Sequence, residues 1–365
     1  MTNNPERVIC AMSGGVDSSV AAKLLVDQGY DVMGVTMKLF DSDGVILEEG
    51  SRTCCSLEDV EDARAVAFGL GIPYQVFNYT DTFGRCVVDR FCRAYLQGRT
   101  PNPCIDCNRF LKFDALQQRR RELGYDYVAT GHYARRAYDK ETGRYLLLKG
   151  LDPKKDQSYV LYHLTQDHLA HMLFPVGELE KTQVREVAHE AGLGNADKLE
   201  SQDICFVPDG DYASFIEEHT GEAFVPGPIV DEAGNVLGQH QGLVHYTIGQ
   251  RKGLGIAAGK PLFVLSKDAQ TNTLVVGSAD SVGFTEVRAD DVNLISVASI
   301  DAPLEVEVKV NYRAQPRKAT AQMRDGKLIV RFDEPVRAVA PGQALVMYQG
   351  DVVVGGATIE SASRE

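Results

Sequence analysis

Two sets of residues in this 365-residue chain have the types and spacing for chemistry: a serine–glycine turn near the N-terminus and a few distant cysteines. The turn is Ser13-Gly14-Gly15-Val16-Asp17-Ser18. It follows the apolar run Val8-Ile9-Cys10-Ala11-Met12, which reads as a buried strand. It precedes Ser19 to Asp27, where Val20, Lys23, Leu24 and Asp27 fall at helical spacing. A strand, a glycine turn and a helix start together aim backbone N–H groups and a helix dipole at an anion. Paired glycines let a phosphate approach closely, and the Ser13 and Ser18 hydroxyls can donate further hydrogen bonds. Neither G-x-x-x-x-G-K-[ST] nor G-x-G-x-x-G occurs at this turn, so it is not a phosphate loop of those kinds.

The cysteines sit in two other stretches. Thr100-Pro101-Asn102-Pro103-Cys104-Ile105-Asp106-Cys107-Asn108 carries a C-x-x-C after two prolines, which predicts a stiff, non-helical binding loop. The spacing puts Cys107 just before the next helix, where a helix N-terminus with Arg109 and Lys112 nearby would favour a thiolate. A reactive thiol, half of a zinc site and an inert cysteine are all open on spacing alone, though no second C-x-x-C completes a zinc site. Glu200-Ser201-Gln202-Asp203-Ile204-Cys205-Phe206 holds a further cysteine, either buried filler or a second thiol for the same chemistry.

The elements that must position these groups follow an alternating pattern. Strands are predicted at Asp31–Met37, Tyr74–Phe77 and Tyr127–Ala129. Helices are predicted from an N-cap at Ser56 to Gly71, over Thr82–Leu96, over Phe110–Leu123 and over Thr182–Ala191. A hairpin turns at Lys140–Gly143, and Tyr159–Leu164 reads as helical. Asp41–Cys55 reads as an irregular insertion. Alternation of this kind predicts a parallel sheet with helices on both faces, whose ligands sit beyond the carboxyl ends of the strands. The loops at Met12–Ser18, Met37 and Thr130–His132 all fall there. From about Asp211 short β-prone runs and turn signals take over, predicting two small mainly-β domains, the last a β-barrel. The expected division is 1–208, 209–284 and 285–365.

Composition narrows the class. Apolar residues make up 44% and charged residues 24%, as in an ordinary globular protein. Neither a membrane-spanning run nor a signal peptide is read in the sequence, so a cytoplasmic location is expected. Eight cysteines in such a chain point to thiol or metal chemistry rather than a disulfide framework. A net charge of −13 excludes a protein that coats nucleic acid by charge alone. A nucleic-acid partner would need local basic groups, such as Arg119–Arg121, Arg135-Arg136, Lys154-Lys155, Gln250-Arg251-Lys252 or Tyr312-Arg313 with Arg317-Lys318.

SGGVDS matches the signature of the PP-loop ATP pyrophosphatases. Taken with TPNPCIDCN, ATGHYA, KDQSYVL, ESQDICF and GLVHYTIGQRKGLG, the chain resembles the bacterial tRNA-specific 2-thiouridylase family. The resemblance implies transfer of sulfur to C2 of the wobble uridine of tRNA, with ATP and Mg²⁺ and no tightly bound metal. By motif, Ala11, Met12, Ser13, Gly14, Gly15, Val16, Asp17, Ser18, Met37 and Gly131 would bind ATP. Cys107 would be the nucleophile. Cys205 would carry a persulfide received from a sulfur-relay protein or a cysteine desulfurase, and a transient Cys107–Cys205 disulfide would follow. Asn102, Pro103 and Cys104 would surround the target base, while His132, Lys155, Asp156, Gln157, Asn311, Tyr312 and Gln343 would contact tRNA.

Two positions depart from that pattern. Cys104 stands where the family often has an acid, which opens either a resting disulfide with Cys107 or simple space-filling. Asn311 stands where a basic residue is common. Two other functions compete on the residues alone. A PP-loop ligase that adenylates a small carboxylate or purine would need neither Cys107 nor Cys205. A non-catalytic RNA-binding protein would hold nucleotide without releasing pyrophosphate.

Overall fold

The structure is a computed structural model that describes residues 4–40, 57–199, 204–256 and 259–364. The expected N-cap at Ser56, the insertion at Asp41–Cys55 and the Glu200–Asp203 part of the second cysteine motif lie outside the described residues. The chain divides into two compact units, Met1–Val88 with Cys104–Gly210 and Asp351–Val353, and Asp89–Pro103 with Asp211–Gly350 and Val354–Glu365.

The first unit begins with β1 (Arg7–Ala11), α1 (Val16–Asp27), β2 (Asp31–Lys38), α2 (Leu57–Gly69) and β3 (Tyr74–Asn78). Helix α1 starts at Val16, not Ser19. Its buried face is Val16, Ser18–Ala22 and Leu25, while Lys23 and Asp27 form an ion pair one turn apart at the surface. The helix predicted over Thr82–Leu96 is broken into three. It runs as α3 (Thr80–Phe83), a π-helical stretch Gly84–Val88, and α4 (Asp89–Leu96). The next helical run starts earlier than expected, as α5 (Pro103–Asp106), then a π-helical stretch Cys107–Ala115, then α6 (Leu116–Leu123) ending at left-handed Gly124. Proline at the first helical position has no N–H to lose there, so Pro103 opens a helix rather than preventing one.

After β4 (Tyr127–Thr130) come the hairpin β5 (Ala134–Asp139) and β6 (Arg144–Lys149), a 3₁₀ turn at Ser158–Leu161, α7 (Gln166–Ala170), β7 (Met172–Leu173) and α8 (Lys181–Glu190). The parallel sheet has the order β3-β2-β1-β4-β7. Val8, Cys10, Met12, Val32 and Ala129 face a core shared with α1, α2 and α8. Ile9 and Val128, on the other face, are fully buried too, and α6 packs against β4. Burial on both faces is why these strands read as continuous apolar runs.

The second unit opens with α4, followed by α9 (Tyr212–Thr220), a helix not predicted from the sequence and capped by Asp211 accepting from the Ser214 N–H at 3.1 Å. Phe91 and Tyr95 of α4 pack on Tyr212 and Phe215 of α9. A four-stranded sheet follows, from β8 (Gly227–Val230), β9 (Val236–His240), β10 (Phe263–Asp268) and β11 (Thr273–Gly277) in the order β10-β11-β8-β9. The remaining strands are β12 (Phe284–Leu294), β13 (Leu304–Lys309), β14 (Arg317–Arg324), β15 (Lys327–Val336), β16 (Ala344–Gln349) and β17 (Val352–Ser363). They run in the order β12-β15-β14-β13-β16-β17, and β17 pairs back onto β12 to close a barrel. Val287, Ala321, Leu328, Leu345, Met347 and Ile359 are among its buried residues.

Candidate active site

Within the first unit, β2 lies on one side of β1 and β4 on the other, with Ala11 level with both Val35 and Thr130. Chain direction across the sheet therefore switches at β1, and the crevice beyond its carboxyl end is where such a sheet binds ligands. The Ser13–Ser18 loop fills that position. Ser13 N–H donates to Ser18 Oγ (3.2 Å), and Ser18 Oγ donates to the Gly15 carbonyl (2.9 Å). Thr36 Oγ1 donates to the Met12 carbonyl (2.7 Å) and is itself held by Tyr74 OH (2.7 Å). Gly15 is the N-cap of α1 and brings no side chain, so the first N–H groups of the helix stay available to an anion.

Two glycines make this geometry possible. Gly14 has φ +74°, and a Cβ there would lie 2.4 Å from the Asp59 carbonyl oxygen. A Cβ on Gly131 would lie 2.6 Å from Ser18 N and 2.7 Å from Asp17 C, so the β4 exit presses directly on the loop backbone. Met37, on β2 two residues beyond the level of Ala11, is buried beside the same crevice. A flat cradle of N–H groups and hydroxyls, closed by backbone that tolerates no Cβ, fits the phosphates of a nucleotide.

Three residues missed in the sequence complete the loop. Asn195, 5% exposed, donates to the Gly14 carbonyl (2.8 Å) and to Ser19 Oγ (2.9 Å). Tyr133 OH donates to Asp17 Oδ1 (2.7 Å), and Lys181 Nζ donates to both Asp17 oxygens (2.7 and 2.9 Å). They reach the loop from 116 to 181 positions away in the sequence, beyond any local pattern. Gln157 in turn accepts from the Tyr133 N–H (2.9 Å), and Asp156 accepts from the Gly150 and Ser158 N–H groups. Of these two expected tRNA contacts, Gln157 thus braces Tyr133, and Asp156 holds the turn from Gly150 to Ser158.

Cys107 does not precede a helix. It opens the π-helical stretch one turn inside the run that begins at Pro103, with Cys104 exposed on the first turn. π-Helical turns widen the backbone by one residue and are enriched at functional sites. The stretch is anchored by Asn108 Nδ2 donating to the Val160 carbonyl (3.1 Å), and its Phe113 ring lies 6.2 Å from the His132 ring at the β4 exit. It also packs against the Thr80–Val88 segment. Cys205 sits in a turn closed by Val207 N–H donating to the Ile204 carbonyl (2.9 Å). The next residue, Phe206, is buried edge-on against Phe83 of α3 (5.6 Å). The Cys107 helix and the Cys205 turn therefore share α3 as a neighbour, and both cysteines are half-buried. Two other cysteines are excluded from thiolate chemistry. Burial pushes the Cys10 thiol up to about 12, and burial with the Asp89 charge pushes Cys92 up to about 11.

The comparisons with known proteins decide the family. Residues 6–209 match the tRNA methyl transferase HUP domain family, 213–278 the tRNA methyl transferase PRC-barrel domain family, and 284–359 the aminomethyltransferase beta-barrel domain family. A Clostridioides difficile protein named tRNA-specific 2-thiouridylase MnmA is 50% identical over 358 residues, covering 98% of this chain and 99% of that one. The chain belongs to the tRNA-specific 2-thiouridylase family. Proteins of the same name from Moorella thermoacetica (53% identity, 97% of this chain and 99% of that one) and Carboxydothermus hydrogenoformans (51%, 97% and 98%) agree.

Against the thiouridylase motifs, the remaining expected RNA contacts divide by burial. Tyr312 is 41% exposed with Arg313, Arg317 and Lys318 exposed beside it, and Asn311 accepts from the Ala314 N–H in the same turn. Arg251 and Lys252 are exposed on a turn braced by Gln250, and Lys155 is half-buried. Gln343 instead donates to the Thr100 carbonyl (2.8 Å), while Thr100 N–H donates to the Pro341 carbonyl (2.8 Å). The barrel turn thus holds the start of the Thr100–Pro103 segment, with Asn102 half-buried and Pro103 buried. Three arginines of the expected basic clusters are bonded to backbone carbonyls. Arg120 donates to the Tyr125 and Asp126 carbonyls, Arg135 to Lys149, and Arg136 to Leu169 and Ala170.

His132 is 9% exposed, with Nδ1 2.8 Å from Thr130 Oγ1. Burial first, and the Lys112 charge second, hold its pKa well below the usual histidine value, so it is neutral in the folded protein. Unfolded, it ionises near 6.5, so the stability it contributes is present above that pH. It is lost as pH falls, by about 1.4 kcal/mol per pH unit until the folded value is reached. Thermal midpoints measured from pH 7.5 to 5.5 should fall more steeply for the natural protein than for His132→Gln. Equal slopes would remove His132 as the cause.

Proposed function

We propose that this protein is an ATP-dependent tRNA-uridine 2-sulfurtransferase that forms 2-thiouridine at the wobble position. The observation that carries the reading is a glycine-lined anion cradle at the switch point of a thiouridylase-family sheet, with two half-buried cysteines in the same unit. Ala11–Ser18, Met37 and Gly131 would hold ATP, and the Mg²⁺ that accompanies the nucleotide would neutralise phosphate charge. The loop N–H groups and hydroxyls orient the triphosphate so that uridine O2 attacks the α-phosphorus and pyrophosphate leaves. A poor leaving oxygen thereby becomes AMP.

The terminal sulfur of a Cys205 persulfide then attacks C2 and expels AMP. Cys107 thiolate attacks the inner sulfur, the S–S bond electrons pass to the new thiocarbonyl sulfur, and the Cys107–Cys205 disulfide left behind is reduced by an external dithiol. In the other order, Cys107 first releases the sulfur as hydrosulfide, and that attacks C2. Both orders need the base out of its stack, with Asn102, Pro103 and Cys104 around it. The sulfur arrives from a relay protein or a cysteine desulfurase. Tyr312 and the exposed basic groups of Arg251, Lys252, Arg313, Arg317 and Lys318 serve the tRNA backbone. The same reading carries the division into domains at 1–208, 209–284 and 285–365 and a cytoplasmic setting. No helix among the described residues is long and apolar enough to cross a membrane.

The test is nucleoside mass spectrometry of tRNA from cells lacking this protein and from the same cells complemented with it. Loss and return of 2-thiouridine is expected. Unchanged 2-thiouridine in a strain with no second such enzyme would reject the function.

A further inference from the structure

We propose that Asn108 is a positioning residue for Cys107: its amide, fixed on the Val160 carbonyl, holds the π-helical stretch in the register that aims the thiol. The inference rests on reading Cys107 as the nucleophile and goes beyond it by assigning what sets the direction of that side chain.

Stability does not explain Asn108. It is 3% exposed inside a helical run, where asparagine is a poor former. Nδ2 donates to the Val160 carbonyl (3.1 Å), but Oδ1 is buried and accepts no hydrogen bond from the described residues. A buried acceptor left in that state costs about 1–3 kcal/mol, and a leucine there, in the company of buried Leu111 and Phe113, would avoid it. What the amide provides instead is a directed bond to one chosen point.

The backbone gives that bond its use. In a π-helical turn each N–H reaches a carbonyl five residues back, so the turn holds one residue more than an α-helical one. Relaxing it to α-helix would swing the residues ahead of it by roughly 100° and 1.5 Å. Cys107 is the first residue of the stretch and would take that whole swing. Asn108 follows it and is bonded to Val160, while Phe113, one π turn further on, packs against the rings of His132 (6.2 Å) and His168 (6.4 Å). The two anchors pin the turn at both ends.

The anchor point belongs to the frame that holds the glycine loop. Val160 N–H donates to the Gln157 carbonyl (3.1 Å), Gln157 Oε1 accepts from the Tyr133 N–H (2.9 Å), and Tyr133 OH donates to Asp17 of the loop (2.7 Å). The same π-helical stretch packs against α3, whose Phe83 meets Phe206 beside Cys205. Asn108 therefore fixes the backbone of Cys107 against the loop where uridine would be activated and the turn that would carry the sulfur. Reacting groups must be held to about an ångström for such an attack. A purely structural role is the rival: the bond would then only tie the helix to the 3₁₀ turn.

Separate assays of the two half-reactions on the full-length protein with tRNA decide between them: ATP-dependent pyrophosphate release, and 2-thiouridine formation from the Cys205 persulfide. In Asn108→Leu, kcat for 2-thiouridine formation should fall about 10- to 100-fold, the scale for misplacing a reacting group by about an ångström. KM for tRNA and ATP, pyrophosphate release and persulfide loading of Cys205 should stay within about twofold, and the thermal midpoint should not fall. Asn108→Ala, which adds no bulk, should separate the half-reactions in the same way and covers the case in which Asn108→Leu does not fold. Asn108→Gln keeps the amide and should recover part of the loss. An unchanged kcat in both Asn108→Leu and Asn108→Ala would overturn the assignment, as would pyrophosphate release and thermal midpoint falling in step with 2-thiouridine formation. A natural yield of 2-thiouridine from Cys107→Ser would instead reject Cys107 as the nucleophile, on which the assignment rests.

Discussion

Cys107→Ser and Cys205→Ser should each lower 2-thiouridine formation at least about a thousand-fold, the scale for deleting a covalent nucleophile, while leaving ATP affinity within about twofold. The separation follows from the fold. The proposed nucleotide cradle is built from β1, α1, the β4 exit and the residues Tyr133, Lys181 and Asn195, none of which is hydrogen-bonded there through either thiol. Cys107 and Cys205 differ in what each variant retains. Cys205→Ser should fail to be loaded with sulfur by a desulfurase, whereas Cys107→Ser should still carry a persulfide, seen as a mass increment of about 32 daltons at Cys205. Phe206→Ala should slow transfer without stopping it, because the Cys205 turn loses its anchor on Phe83 but keeps its thiol. Normal 2-thiouridine yield from Cys205→Ser would remove the persulfide assignment. Persulfide loading on a Cys205→Ser protein would move it to another thiol, with exposed Cys104 the first to examine.

Local signals were legible in the sequence and distant ones were not. The strand, glycine turn and helix around Ser13–Ser18 are contiguous, so apolar run and turn chemistry identify them, although α1 starts three residues earlier than periodicity suggests. The prolines before Cys107 signal helix exclusion in the sequence, whereas Pro103 occupies the first helical position, where proline is favoured. The π-helical turns at Gly84–Val88 and Cys107–Ala115 cannot be read with a 3.6-residue period at all. In the barrel, β14 turns Ala319 and Ala321 inward, too small to register as a β pattern, and β17 carries Gly355-Gly356 in its middle. β12 contains adjacent acids and two shifts of register against β17. The arginines show the same limit from the other side. Composition marks Arg120, Arg135 and Arg136 as basic surface, but only the fold reveals that backbone carbonyls use their guanidinium groups.

Gly131→Ala should cost about a hundred-fold in ATP-dependent pyrophosphate release and several degrees in thermal midpoint, though it adds a single methyl group. The new Cβ would stand 2.6 Å from Ser18 N, 2.7 Å from Asp17 C and 2.9 Å from Ser18 Cα. All three are backbone atoms, so no rotamer change relieves the overlap. Either the β4 exit or the first turn of α1 must move by roughly an ångström, and overpacking of this kind typically costs about 1–3 kcal/mol. Neither side yields easily. The first turn of α1 is held by Asn195 at Gly14 and Ser19 and by Lys181 and Tyr133 at Asp17, while β4 is paired to both β1 and β7. The displacement therefore falls on the N–H groups that would face the phosphates, and a shift of that size at a positioning site outweighs its cost in stability. Gly69→Ala, at the exposed end of α2 with nothing within 4 Å of the added Cβ, is the matched control and should leave both measurements unchanged or slightly improved. Pyrophosphate release and nucleotide affinity like those of Gly69→Ala would show that the β4 exit does not shape the nucleotide site, and Gly131 would lose its place in it.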